Sequence, residues 1–81
     1  MIKSEIIWKI SDVINYLDGR EIDLAEGLSS MDFVLNELQK EDKQEAFLRL
    51  RKLYDSYLEA IKEIQRVKKA LTEITKNYRK E

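Results

Sequence analysis

Leu38-Gln39-Lys40-Glu41-Asp42-Lys43-Gln44-Glu45-Ala46-Phe47 is the stretch on which the architecture turns. Between two apolar residues it holds seven polar ones, Gln39 to Glu45, a run of good helix propensity without Gly or Pro. At ~100° per residue Phe47 falls on the opposite side of a straight helix from Leu38, so one continuous rod would aim its two apolar stripes in opposite directions. A break near residues 40–44 is therefore expected, with Glu41 or Asp42 capping the helix that follows.

Downstream of the break, the stripe reads Phe47, Leu50, Tyr54, Tyr57, Ile61, Ile64, Val67, Leu71, Ile74, Tyr78. Its spacings of three and four predict a helix over roughly residues 44–78, ~50–55 Å long, with one register shift at Ile61–Ile64–Val67 of the stammer kind. Upstream, Leu24, Leu28, Met31, Leu35 and Leu38 form a second stripe, which begins just after Asp23, and Asp23 with Glu26 three residues later makes a capping-box pair. A third stripe, Ile6, Ile7, Ile10, Val13, Ile14, Leu17, meets Gly19. These signals predict helices over about 4–18 and 24–40, each only ~22–26 Å long, forming a hairpin that covers half of the long helix. The expected fold is all-α, a single helical domain over residues 1–81, arranged as a three-helix or oligomeric helical bundle.

Composition agrees with the class. The chain has 81 residues, 43% hydrophobic and 38% charged, with two Gly and no Pro, a scarcity of breakers that disfavours an all-β domain. A chain this short buries only ~60–65% of its unfolded surface, and without Cys or His it has neither disulfides nor the usual zinc ligands. Long helices or a partner chain must compensate. No apolar run approaches the ~20 residues of a membrane span, and Met1-Ile2-Lys3-Ser4-Glu5 lacks the apolar core of a signal peptide, so a cytoplasmic protein with no membrane contact is expected.

The net charge of −1 conceals an asymmetry: residues 1–45 carry five Lys/Arg against eleven Asp/Glu, and residues 46–81 carry ten against five. Acidic and basic segments are expected to fold against each other or to meet in an oligomer.

Absent His closes Ser-His and Cys-His nucleophilic catalysis, and Gly19 and Gly27 are too far apart for a phosphate cradle. Glu41-Asp42-Lys43-Gln44-Glu45 resembles the first acidic motif of all-α nucleotide pyrophosphohydrolases. The second motif of that family, Glu-x-x-Asp on the next helix, is missing: Glu59 and Glu63 are followed by Lys62 and Arg66. The residues therefore point away from an enzyme, a metal site and a cofactor, and toward binding.

Two aromatics lie off the stripes. Trp8 projects about 180° from the Ile10–Val13–Leu17 line, and Phe33 lies opposite Leu24–Leu28–Met31–Leu35, so both are expected to face outward and to serve as contacts for a partner. Ile64, Val67, Leu71, Ile74 and Tyr78, beyond the reach of the shorter helices, complete the expected protein-binding set. Lys62, Lys69 and Lys76 recur every seven residues with Arg66 beside them. That line suits a salt-bridged solvent face first, and an acidic partner or nucleic-acid phosphates second. Tyr54 and Tyr57 are read as packing residues whose hydroxyls reach the rim.

Val13-Ile14-x-x-Leu17-Asp18-Gly19-x-Glu21-Ile22-x-Leu24-x-Glu26-x-Leu28 resembles the hairpin region of the exodeoxyribonuclease VII small subunit. The likeness covers sixteen residues and departs at Gly27 and throughout the long C-terminal helix. It implies a short helical accessory subunit that binds a larger catalytic chain. The sequence thus leads to a non-enzymatic protein–protein interaction module, an accessory subunit or an inhibitor or antitoxin-like binder, that forms a homodimer or higher oligomer. The alternative is a helical nucleic-acid-binding protein that uses the basic face of the C-terminal helix, or a small regulatory subunit of a nucleic-acid enzyme.

Overall fold

The computed structural model describes residues 2–80, with the side chains of residues 3–80. It contains two helices, α1 (Ile2–Lys40) and α2 (Gln44–Lys80), of 39 and 37 residues. They fold back on each other as an antiparallel hairpin with principal extents of 60 × 15 × 12 Å. The long dimension is what a helix of this length gives at a ~1.5 Å rise per residue.

The expected three-helix arrangement is incorrect. Residues 19–23, read as a turn between helices over 4–18 and 24–40, are helical throughout, and neither glycine has a positive φ. The reason lies in the phase of the inward stripe. Ile7, Ile10, Ile14, Leu17, Glu21, Leu24, Leu28, Met31, Leu35 and Leu38 are half-buried or buried and follow one another along α1 in unbroken alternation of three and four, with Lys3, Asp18 and Gly27 half-buried beside them. A heptad register that passes through 17, 21 and 24 without a slip belongs to one helix. Glu21 occupies the seam position where an apolar residue would have shown the continuity. Gly19 faces open space, with nothing within 4 Å of where its Cβ would be. Asp23 and Glu26 are exposed mid-helix residues rather than a capping box.

The register of α2 is equally regular. Its inward positions are Phe47, Leu50, Tyr54, Tyr57, Ile61, Ile64, Lys68, Leu71, Thr75 and Tyr78. No stammer exists: Lys68 and Thr75 hold the seam, while Val67 and Ile74, taken as stripe residues from their apolarity, stand beside it at 38% and 51% exposure. Thr75 is accommodated because its Oγ1 donates to the Leu71 carbonyl one turn back, 3.0 Å away. Since α1 runs the full length of α2, no half of the C-terminal helix is left bare, and the expectation of a partner on that ground fails.

The break expected near 40–44 is found at Glu41–Lys43. Asp42 has φ 59°, the left-handed region, and the Asp42 and Lys43 amides donate back to the Gln39 and Leu38 carbonyls at 3.2 and 2.9 Å. These two bonds make a Schellman motif with Asp42 in the place glycine usually takes, so the turn residues cap the end of α1. Neither Glu41 nor Asp42 is the residue before α2; Lys43 is, and its carbonyl accepts from the Phe47 amide at 2.9 Å.

One layer of side chains between two helices makes a thin core. Leu35, 4% exposed, is the one buried hydrophobic residue among those described. The helices are in close contact at Gly27, where an added Cβ would lie 2.9 Å from Tyr57 Cε2 and 3.4 Å from Cδ2. The absent side chain lets the tyrosine ring rest on the backbone of α1.

Candidate functional surfaces

The hairpin is joined by one polar cluster across its seam. Lys68 Nζ of α2 lies 2.5 Å from Asp18 Oδ1 and 2.8 Å from Glu21 Oε1 of α1, and Gln65 Nε2 donates to Glu21 Oε2 at 3.0 Å. Lys68 and Glu21 both occupy seam positions, so their side chains are about three-quarters covered. Hydrogen bonds from Lys68 and then Gln65 hold the Glu21 carboxyl below its ordinary range. Hydrogen bonds to Asp18 and then Glu21 raise the Lys68 ammonium above its own. A paired charge in an otherwise apolar seam disfavours a slipped register, because any shift by a heptad would set each ion against hydrocarbon. The cluster is a registration device, and here the acidic and basic parts of the chain meet. No motif foretold it. The signal available was that a strict heptad count skips onto Glu21 and Lys68.

The other ion pairs among the described residues lie within single helices: Lys40–Glu37, Arg49–Glu45, Arg51–Asp55, Lys62–Glu59 and Arg66–Glu63. Two members of the basic line are thus engaged, Lys62 at 3.5 Å and Arg66 at 2.6 Å from their glutamates, on an exposed face. Lys69 and Lys76 are exposed and make no ion pair among the described residues. Lys76 edges a shallow depression with Ile14, Thr72, Thr75, Arg79 and Lys80.

Glu41, Asp42 and Glu45 sit at the turn, and among the described residues no three carboxylates converge as a metal-ligand set. Arg49 takes up Glu45 at 3.1 Å. An indentation at the turn is lined by Leu38, Phe47 and Leu48 with polar rims, and it is open to solvent.

Trp8 and Phe33 point away from the seam and are 74% and 67% exposed. They do not share a surface: Trp8 lies near the free end of α1 among Ser4, Glu5, Lys9 and Asp12, and Phe33 stands near the turn on the back of the helix. Of the C-terminal residues taken as partner contacts, Ile64, Leu71 and Tyr78 are half-buried against α1, and Tyr78 carries Lys3 Nζ 5.6 Å above its ring. Val67 and Ile74 remain exposed. Tyr54 and Tyr57 are half-buried seam residues.

Among the described residues no helix is long and apolar enough to cross a membrane. The residues that resemble the exodeoxyribonuclease VII small subunit lie inside one continuous helix, so the hairpin on which that likeness rested is not there. No protein-family model matches the chain, and no curated protein and no solved structure is found to match it.

Proposed function

We propose that this chain is a non-enzymatic protein–protein interaction module, a rigid helical hairpin that acts in the cytoplasm as a small accessory subunit of a larger protein, or as its inhibitor or antitoxin-like binder, and that also self-associates. The observation that carries this reading is the imbalance between what the hairpin buries and what it exposes. Among the described residues Leu35 alone is buried, while Ile6, Trp8, Val13, Tyr16, Ile22, Phe33, Val34, Leu48, Leu53, Val67 and Ile74 are exposed. Scattered exposed apolar residues are ordinary, but eleven large ones on two helices exceed what a free surface of this size needs. Aromatics such as Trp8 and Phe33 are the side chains that anchor desolvated contacts.

Nucleic acid is the weaker reading because Lys62 and Arg66 are already paired with Glu59 and Glu63, leaving Lys69 and Lys76 as a sparse track for phosphates. The test is capture on the full-length tagged chain from nuclease-treated and untreated lysates, with Trp8→Ala and Phe33→Ala beside the native sequence. A protein retained after nuclease and lost with either aromatic is the expected result. Retention that vanishes with nuclease, or a steep salt dependence of binding to generic DNA, would overturn it.

A further inference from the structure

We infer that one flank of the hairpin, formed by Ile6, Val13 and Val34 of α1 with Leu53, Val67 and Ile74 of α2, is a dimerisation face whose occupant is a second copy of this chain, placed so that each α1 lies against the other copy's α2.

This deepens the interaction reading above and rests on it. Each of the six residues immediately precedes a seam residue: Ile7, Ile14, Leu35, Tyr54, Lys68 and Thr75 respectively. Residues that immediately follow the alternate seam positions lie on the opposite flank, and these are Ser11, Asp18, Ala25, Asp32 and Gln39 of α1 and Arg51, Leu58, Gln65, Thr72 and Arg79 of α2. Because the helices are antiparallel, related by an axis perpendicular to both, equivalent flanking positions of α1 and α2 fall on the same side. The polar cluster shows this directly, since Asp18 and Gln65 both reach the Glu21–Lys68 pair. That side of the hairpin is polar apart from Ala25 and Leu58. The other presents six large apolar side chains, every one exposed, with Arg20 as its single charged residue.

A two-stranded seam needs two apolar positions per heptad. A third on one flank widens the stripe to what a helix buries inside a four-helix bundle. Area points the same way. A compact monomer of 9.7 kDa exposes about 5,100 Å² by the usual mass scaling, whereas this chain exposes 6545 Å². The excess of about 1,400 Å² exceeds the ~800 Å² that each partner contributes to a stable interface.

Charge selects the occupant and its orientation. Over α1, four Lys/Arg face eight Asp/Glu, and over α2 ten face five, so the helices are oppositely charged. Rotating a second copy about the long axis of the hairpin sets each acidic helix beside a basic one, with every neighbour antiparallel. Turning it end over end would place acidic beside acidic and basic beside basic, at an electrostatic cost.

Sedimentation equilibrium of the full chain at micromolar concentration should give twice the chain mass. Val13→Glu and Val67→Glu should each give the single-chain mass with helicity retained by circular dichroism. Ile22→Glu and Leu48→Glu, at exposed apolar residues outside the face, should leave the dimer intact. Orientation is read by disulfide trapping, which the cysteine-free chain makes unambiguous. The Asp18–Lys68 and Glu21–Gln65 contacts set the register in which Tyr16 stands level with Ala70. Mixing Tyr16→Cys chains with Ala70→Cys chains should yield a linked pair, and Tyr16→Cys alone should not. A single-chain mass for the native sequence, dimers that survive the face charges, or ready linkage of Tyr16→Cys with itself would each overturn the proposal. If the charged variants lose helicity, trapping decides. A monomer that still captures a protein removes this inference and leaves the module reading; a dimer with no captured protein does the reverse.

Discussion

The two glycines provide the sharpest test of the fold, because they sit in one helix in opposite surroundings. Gly19 is helical, faces solvent and has nothing within 4 Å of its missing Cβ. Gly19→Ala should therefore stabilise the hairpin by the full propensity difference, ~0.5–1 kcal/mol, and raise the midpoint by roughly 2–8 °C for a domain of this size. At Gly27 the same gain is set against a Cβ placed 2.9 Å from Tyr57 Cε2. Displacing a ring packed in the seam costs about 1–3 kcal/mol, so Gly27→Ala should be neutral to destabilising by up to ~2 kcal/mol. Urea unfolding followed by circular dichroism, at one fixed chain concentration so that association is held constant, measures both. In the double variant Gly27→Ala/Tyr57→Leu the steric penalty should largely disappear, a coupling that a double-mutant cycle isolates. If Gly19→Ala instead destabilised by 1 kcal/mol or more, residue 19 would have to adopt a backbone only glycine tolerates. The chain would then break between residues 18 and 24, and the two-helix fold described here would be refuted.

Other consequences are more local. Asp42→Gly relieves a left-handed residue in the Schellman turn and should add up to ~1 kcal/mol in the same urea assay, whereas Asp42→Val should destabilise. Leu35→Ala removes the most buried side chain and should cost about 3 kcal/mol, enough to show as a broad, early thermal transition. The Glu21 pKa lies below its ordinary 4.5, so its stabilisation is present above that pH and is lost as pH falls through the depressed value. Lys68, raised above 10.5, contributes below that pH and loses its contribution as pH rises through the higher value. The difference in stability between native and Lys68→Met chains should accordingly be greatest at neutral pH and shrink at both extremes, as urea titrations at several pH values would show. Trp8→Ala and Phe33→Ala should change hairpin stability by far less than the ~3–5 kcal/mol of a core aromatic, and Trp8 emission in a monomeric variant should be open to iodide quenching.

Helical class, the polar break near residue 42 and the outward direction of Trp8 and Phe33 were all legible in the sequence, because each follows from a local count at ~100° per residue and needs no knowledge of what packs where. The number of helices was not. Gly19 and the Asp23–Glu26 pair have the local form of a stop and a start, yet neither side chain chemistry nor glycine content can end a helix whose apolar phase continues through Leu17 and Leu24 into a partner helix of equal length. Packing along that whole length outweighs a ~1 kcal/mol propensity cost at each glycine. The same lesson applies to the seam. Reading by apolarity chose Val67 and Ile74 and inferred a stammer. The folded hairpin chose Lys68 and Thr75, because Lys68 finds Asp18 and Glu21 across the seam and Thr75 satisfies its hydroxyl on its own backbone. A charged residue becomes a core residue only when its partner is brought within ~3 Å, and that proximity between residues fifty apart in sequence exists only in the tertiary structure.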